Sequence, residues 1–306
     1  MSEASTRRWM PPPREIDVAG VATRYHEAGS GQPVVFIYGG NFGTADSTSS
    51  ARIWDLNLPW VSEQYRAIAL DKLGQGFTGN PLKDEDYTMQ AVVRHIAQFL
   101  VAMKLPPAHL VGHSRGGYAA TRLTIEHPHL VRSLTIVSSG TLSPGIGTNE
   151  VVLSAPPHPP FTRESARWVY ENYCYKPESV DEAWIDAVME VLALPKYRES
   201  VRKMVDEKLG TKLFLPNLAR DKRETLQWIR DGRLQRPTQI MWGHNDRTAL
   251  TERGVELFQM IAATQRRVSF NLFNQAGHFS YREQASRFNR LLTNFIAGAA
   301  AEGALS

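Results

Sequence analysis

The sequence predicts an α/β protein: a mostly parallel sheet with helices on both faces and a helical cap inserted late in the chain. Three observations carry this. Short apolar runs alternate with stretches of helical spacing, several of those runs end in loops bearing Gly, Ser, Asp or His, and the alternation lapses between about Leu142 and Gln235.

Strands are expected near Arg14 to Glu27 and then at 33–38, 66–71, 108–113, 132–138, 237–242 and 267–273, with helices near 88–104, 116–127, 250–262 and 282–297. The lapse begins with Ser143-Pro144-Gly145-Ile146-Gly147 and a proline cluster, Ala155 to Pro160. It continues through helical segments at Arg163 to Glu171, Asp181 to Leu194 and Lys222 to Asp231. The chain therefore divides into a core of residues 1–141 and 236–306 and a helical cap of 142–235. The cap would lie over the carboxyl ends of the strands, where open α/β sheets bind ligands. No internal repeat is present.

The strand at 108–113 leads into Gly112-His113-Ser114-Arg115-Gly116, a serine between two glycines directly before a helix. This is the G-x-S-x-G pattern of a nucleophile elbow. Glycines flank the serine because any Cβ there would collide with the neighbouring strand and helix, and the sharp corner exposes the hydroxyl. The helix start favours negative charge beside it.

Two later strands supply partners. One ends in Gly243-His244-Asn245-Asp246 and the other in Ala276-Gly277-His278-Phe279. Serine, aspartate and histidine in that order form the arrangement of an α/β-hydrolase triad. A hydroxyl is a weak nucleophile until an imidazole takes its proton, and a carboxylate must hold that imidazole in the right tautomer. Ser114 is thus the expected nucleophile, His278 the base and then acid, and Asp246 the orienting acid. Asp71, after the strand at 66–71, competes for the acid role but precedes the serine. His127, His129 and His158 read as structural or solvated, and His113 and His244 as supports of the pocket.

The second oxyanion donor should come from the loop after an early strand, which is Tyr38-Gly39-Gly40-Asn41. The N–H groups of Gly40 and Arg115 are the expected oxyanion pair, with Gly39, Asn41, His113 and Phe279 lining the substrate site. Gly74-Gln75-Gly76-Phe77-Thr78-Gly79 matches the dinucleotide fingerprint G-x-G-x-x-G. Its context argues against that use: Asn80-Pro81 stops a helix, and no acidic residue ends a second strand at the required distance. The segment reads instead as a turn before a helix beginning near Thr88.

Bulk properties agree with a single enzyme domain carrying an insertion. A chain of 306 residues buries about three quarters of its unfolded surface. Cys174 is the only cysteine, which excludes an internal disulfide and permits a cytoplasmic setting. The start of the sequence lacks the apolar core of a secretory signal, and no apolar run is long enough for a membrane span. A net charge of +4 with scattered Lys and Arg speaks against a nucleic-acid surface but leaves room for a locally basic pocket. A small-molecule substrate is expected, with no metal, organic cofactor, nucleic acid or membrane partner. A homodimer is compatible with the sequence.

The elbow, Trp242 to Arg247, Ala276-Gly277-His278 and the cap position together resemble the α/β-hydrolases over nearly the whole chain. Within that fold the chain is similar to meta-cleavage-product hydrolases, which split the carbon–carbon bond of 2-hydroxy-6-oxo-dienoates, and also to hydrolases of phthalate monoesters. Ser139 to Gly145 and Phe77-Thr78 after Leu73-Gly74 add to the likeness. Members of the first group carry an asparagine before the serine, a tryptophan after the histidine and a cap arginine for the substrate carboxylate. The corresponding positions are His113, Phe279 and a segment, Glu182 to Glu190, without arginine; Arg198 and Arg202 are the nearby alternatives. These departures favour ester hydrolysis of a small, aromatic, anionic substrate over carbon–carbon hydrolysis, with a non-enzymatic receptor as a third reading. Aspartate-nucleophile chemistry of the haloalkane dehalogenase or epoxide hydrolase kind is disfavoured by Ser114.

Overall fold

The computed structural model describes residues 8–145, 148, 152–153 and 155–303. Ile146 and Gly147, expected at the start of the cap, lie outside the described residues. Eight strands form one sheet: β1 (Arg14–Val18), β2 (Val21–Ala28), β3 (Pro33–Ile37), β4 (Arg66–Leu70), β5 (Ala108–His113), β6 (Val131–Val137), β7 (Thr238–Gly243) and β8 (Val268–Phe273). Their order is β1-β2-β4-β3-β5-β6-β7-β8. β1 and β2 pair antiparallel, as do β2 and β4, and every later pairing is parallel.

The central strands are apolar on both sides because both sides are covered. Val35 and Ile37 of β3 face the layer of α2 (Met89–Ala102), α3 (Arg115–Glu126) and, later in the chain, Thr251–Ala262. Val34 and Phe36 face α1 (Leu58–Ser62) and the C-terminal helix Ala285–Gly303. Side chains alternate between faces along the strand, so successive residues feed opposite cores. Register follows this pairing, with Val35 opposite Leu110 and Leu110 opposite Leu134.

The helices begin where side chains can cap them. Thr88 accepts from the Ala91 N–H at 3.2 Å, which starts α2 close to its expected position. Residues Gly74 to Gly79 form a turn closed by the Gly74 N–H on the Gly79 carbonyl at 2.8 Å, with no helix opening inside it. Between β6 and β7 the described helices are α4 (Arg163–Tyr173), α5 (Glu182–Leu192), α6 (Pro195–Val201) and α7 (Leu215–Arg230). Thr162 caps α4 and Asp181 caps α5, the latter accepting from Trp184 N–H at 2.8 Å. The last of the four differs from expectation, starting at Leu215 rather than Lys222 because Pro216 sits in the first turn, where its missing N–H costs nothing. Two π-type turns, Arg202–Asp206 and Gly210–Phe214, link α6 to α7. Beyond β7 lie α8 (Thr251–Ala262), α9 (Ser280–Glu283) and α10 (Ala285–Gly303).

Candidate active site

β5 delivers the chain to Ser114, whose φ of 53° and ψ of −122° fall outside the regions comfortable for an L-residue. The surroundings hold the strain. A Cβ on Gly112 would fall 2.5 Å from the Gly116 carbonyl oxygen, and one on Gly116 would fall 2.2 Å from that of Ile37. Only glycine fits either place, as the flanking pattern requires. From the β6 side, Ser114 N–H donates to the Val137 carbonyl at 2.8 Å and Ser139 Oγ donates to the Ser114 carbonyl at 2.6 Å. α3 starts at the next residue, Arg115.

Asp246 and His278 come from the loops after β7 and β8. Asp246 Oδ1 accepts three hydrogen bonds, from Thr248 N–H and Thr248 Oγ1 at 2.8 Å each and from Ala249 N–H at 2.9 Å. Its other oxygen, Oδ2, is thereby left for His278 Nδ1 at 2.6 Å. That bond places the ring proton on Nδ1 and turns Nε2 toward the site. The His278 backbone N–H donates to the Tyr173 carbonyl of α4 at 2.9 Å, and the Tyr173 ring stacks on the imidazole with centroids 4.9 Å apart.

Ser114 and His278 line one cavity of about 50 Å³, together with Gly39, Gly40, Tyr170 and Tyr173 among others. Both residues line it, with no hydrogen bond between the Ser114 hydroxyl and the His278 imidazole. His113 and Phe279 also line it, as expected. Asn41 does not; its Oδ1 is buried without a partner. Arg115 is also absent from the lining, and its guanidinium lies 5.5 Å from the Phe214 ring.

Beneath the Gly39-Gly40 turn sits Lys72, a fully buried residue that the sequence did not single out. Its ammonium donates to the Gly39 carbonyl at 2.8 Å and the Gly40 carbonyl at 3.2 Å, and lies 4.8 Å from the Tyr38 ring. Burial drives the Lys72 pKa well down, with Arg115 adding to the effect and Asp71 opposing it. Asp71, the competing acid, spends its carboxylate on the N–H groups of Ala51 at 2.6 Å and Phe77 at 3.1 Å. Thr248 and Tyr173 also escaped the sequence reading. For Thr248 a local signal existed, since a Thr two residues after an Asp can bond back to it. For Tyr173 and Lys72 there was none.

The comparisons with known proteins agree with this fold. Residues 32–167 match the profile of the alpha/beta hydrolase fold. The chain is a hydrolase of the α/β-hydrolase fold. Among its relatives is 2-hydroxymuconate semialdehyde hydrolase of Pseudomonas sp. strain CF600, to which this α/β hydrolase is 29% identical over 298 residues, 94% of each chain. It is also 29% identical to 2-hydroxy-6-oxo-2,4-heptadienoate hydrolase of Pseudomonas putida, over 93% of this chain and 96% of the relative. The solved meta-cleavage product hydrolase CumD of Pseudomonas fluorescens IP01 is similar over 94% of this chain and 98% of its own, with TM-score 0.75 and 26% identity.

Proposed function

We propose that this α/β hydrolase cleaves the carbon–carbon bond of a 2-hydroxy-6-oxo-dienoate, with Ser114, His278 and Asp246 as its triad and residues 142–235 as a cap over them. The observation that supports it most is similarity along almost the whole length to relatives named for such hydrolysis. It reverses the order in which the sequence alone placed ester and carbon–carbon substrates.

After the dienol ketonises, Ser114 Oγ attacks the 6-oxo carbon and His278 Nε2 takes its proton. The N–H groups of Gly40 and Arg115 receive the developing oxyanion. The carbon–carbon bond then breaks. Its electron pair leaves with the dienoate fragment, which is protonated from His278, and the acyl group stays on Ser114. Water, deprotonated by His278, releases the acid. Lys72 fixes the turn that carries the Gly40 donor.

Ester hydrolysis remains a second reading on one specific observation. α5 holds no arginine, while Arg198 lies over Phe161 at 4.7 Å and Arg202 pairs with Glu207, so neither of the nearby alternatives lines the Ser114 cavity. Purified protein is assayed with a yellow dienoate, an aromatic monoester and a p-nitrophenyl ester, beside Ser114→Ala. Multiple turnover of the dienoate, lost in the variant, supports carbon–carbon hydrolysis. Ester turnover with no bleaching of the dienoate moves the assignment to an esterase. Full activity in Ser114→Ala removes both.

A further inference from the structure

A larger cavity of about 530 Å³ opens beside the first, between α5, β2 and the segment Arg8 to Pro13, and the two share Ser49 in their walls. A space of this size accommodates a small organic molecule. Its walls are basic: Arg8, Arg24, Arg52 and Arg282 line it, with Asp55 as the one carboxylate. Arg8 pairs with Asp55 and Asp181, Arg282 pairs with Asp55 and lies over the Trp184 ring at 4.4 Å, and Arg52 pairs with Glu190 outside the cavity.

Arg24 is different. It forms no ion pair with a carboxylate among the described residues, and burial pushes its pKa down, with the more distant Asp71 opposing that shift. Phe77 covers one face of its guanidinium, with Cζ 3.8 Å from the ring centroid. A cation held by its face keeps its N–H edge for a planar, two-oxygen anion. Arg24 Nε, His26 Nε2 and Arg282 Nε, all on residues lining the cavity, are buried without partners. His26 Nδ1 is committed to the Pro11 carbonyl at 2.7 Å, which leaves Nε2 to meet whatever enters. Buried polar atoms of this kind are costly unless something satisfies them. Trp184, Val188 and Ile53 supply an apolar wall beside them.

We propose that this cleft binds a small aromatic carboxylate, the carboxylate held by the edge of Arg24 and the ring lying along the apolar wall of Ile53, Ala187 and Val188. The proposal concerns binding and does not rest on the chemistry assigned to Ser114.

The test is calorimetric titration of the full chain with naphthalene-2-carboxylate, and with 2-naphthalenemethanol as the uncharged counterpart. The carboxylate is expected to bind at least tenfold more tightly than the alcohol, and more weakly as salt is raised. Arg24→Gln should lose that tenfold preference, whereas Arg290→Gln, an exposed charge on α10, should keep it. Ala187→Trp fills the cleft from α5 without touching a charge and should abolish binding, so the idea stays testable if Arg24→Gln does not fold. Equal affinity for the two probes, or wild-type binding by folded Arg24→Gln or Ala187→Trp, overturns it.

Discussion

His113 Nε2 donates to the backbone carbonyl of His278 at 3.0 Å, and the two imidazoles lie 4.6 Å apart. The residue before Ser114 thus anchors the loop carrying His278, the proposed base. Burial, and then His278, hold the His113 pKa well below its usual value, so it is neutral and keeps its one ring proton for this bond. His113→Leu preserves much of the volume and removes the donor. We expect kcat to fall about tenfold, the worth of one such bond, with an unchanged circular dichroism spectrum. Wild-type kcat in this variant would show that the loop needs no anchor.

Gly39→Ala tests the closeness of the early loop to Ser114, the proposed nucleophile. The added methyl would lie 2.8 Å from Ser114 Cβ. Relief would move the Gly40 N–H away from the proposed oxyanion position. A loss of about 10²-fold or more in kcat is expected, comparable to removing one oxyanion donor. Steady-state kinetics on the preferred substrate measures it.

Lys72→Met replaces the buried ammonium by an apolar side chain of similar length, freeing both glycine carbonyls. Lys72 has no contact with the cavity, so substrate affinity should hold while turnover suffers. The expected outcome is kcat reduced about tenfold and KM within about twofold. A rise in KM at constant kcat would place the effect on binding instead.

Two core histidines make stability sensitive to acid. Burial, the leading cause for both, lowers the pKa of His95 and of His109 from 6.5 to about 4. Each ring is neutral in the fold but charges in the unfolded chain below pH 6.5. Their contribution is therefore complete above the unfolded value and is lost as pH falls toward the folded one. By pH 5 each costs about 2 kcal/mol relative to pH 7.5. Urea denaturation at the two pH values should show this fall, and His109→Gln should recover part of it. His109 bonds Ser133 Oγ at 2.7 Å and Gln32 Oε1 at 3.0 Å, and an amide can replace part of that pairing.

The fold was legible where its causes are local. Glycine spacing marked the elbow, short apolar runs marked the strands, and loops bearing Asp246 and His278 followed from the strands that precede them. The position of β3 between β4 and β5 was not legible, because strand pairing depends on distant segments. The same holds for Lys72 under the Gly39 carbonyl, and for Arg24, whose setting needs Phe77 and the cleft around it. Asn41 was expected in the cavity from its place in the loop; a one-residue step along a tight turn is enough to aim it elsewhere.

The bond from His278 N–H to the Tyr173 carbonyl has an engineering consequence. A chimera could exchange the helices between β6 and β7 with those of a homologue. In this protein α4 also holds the main chain of His278, the proposed base, and a Cβ on Gly277 would strike that same carbonyl at 2.4 Å. A transplanted module must therefore reproduce this backbone geometry, or the recipient will acquire a new specificity with a loosened catalyst.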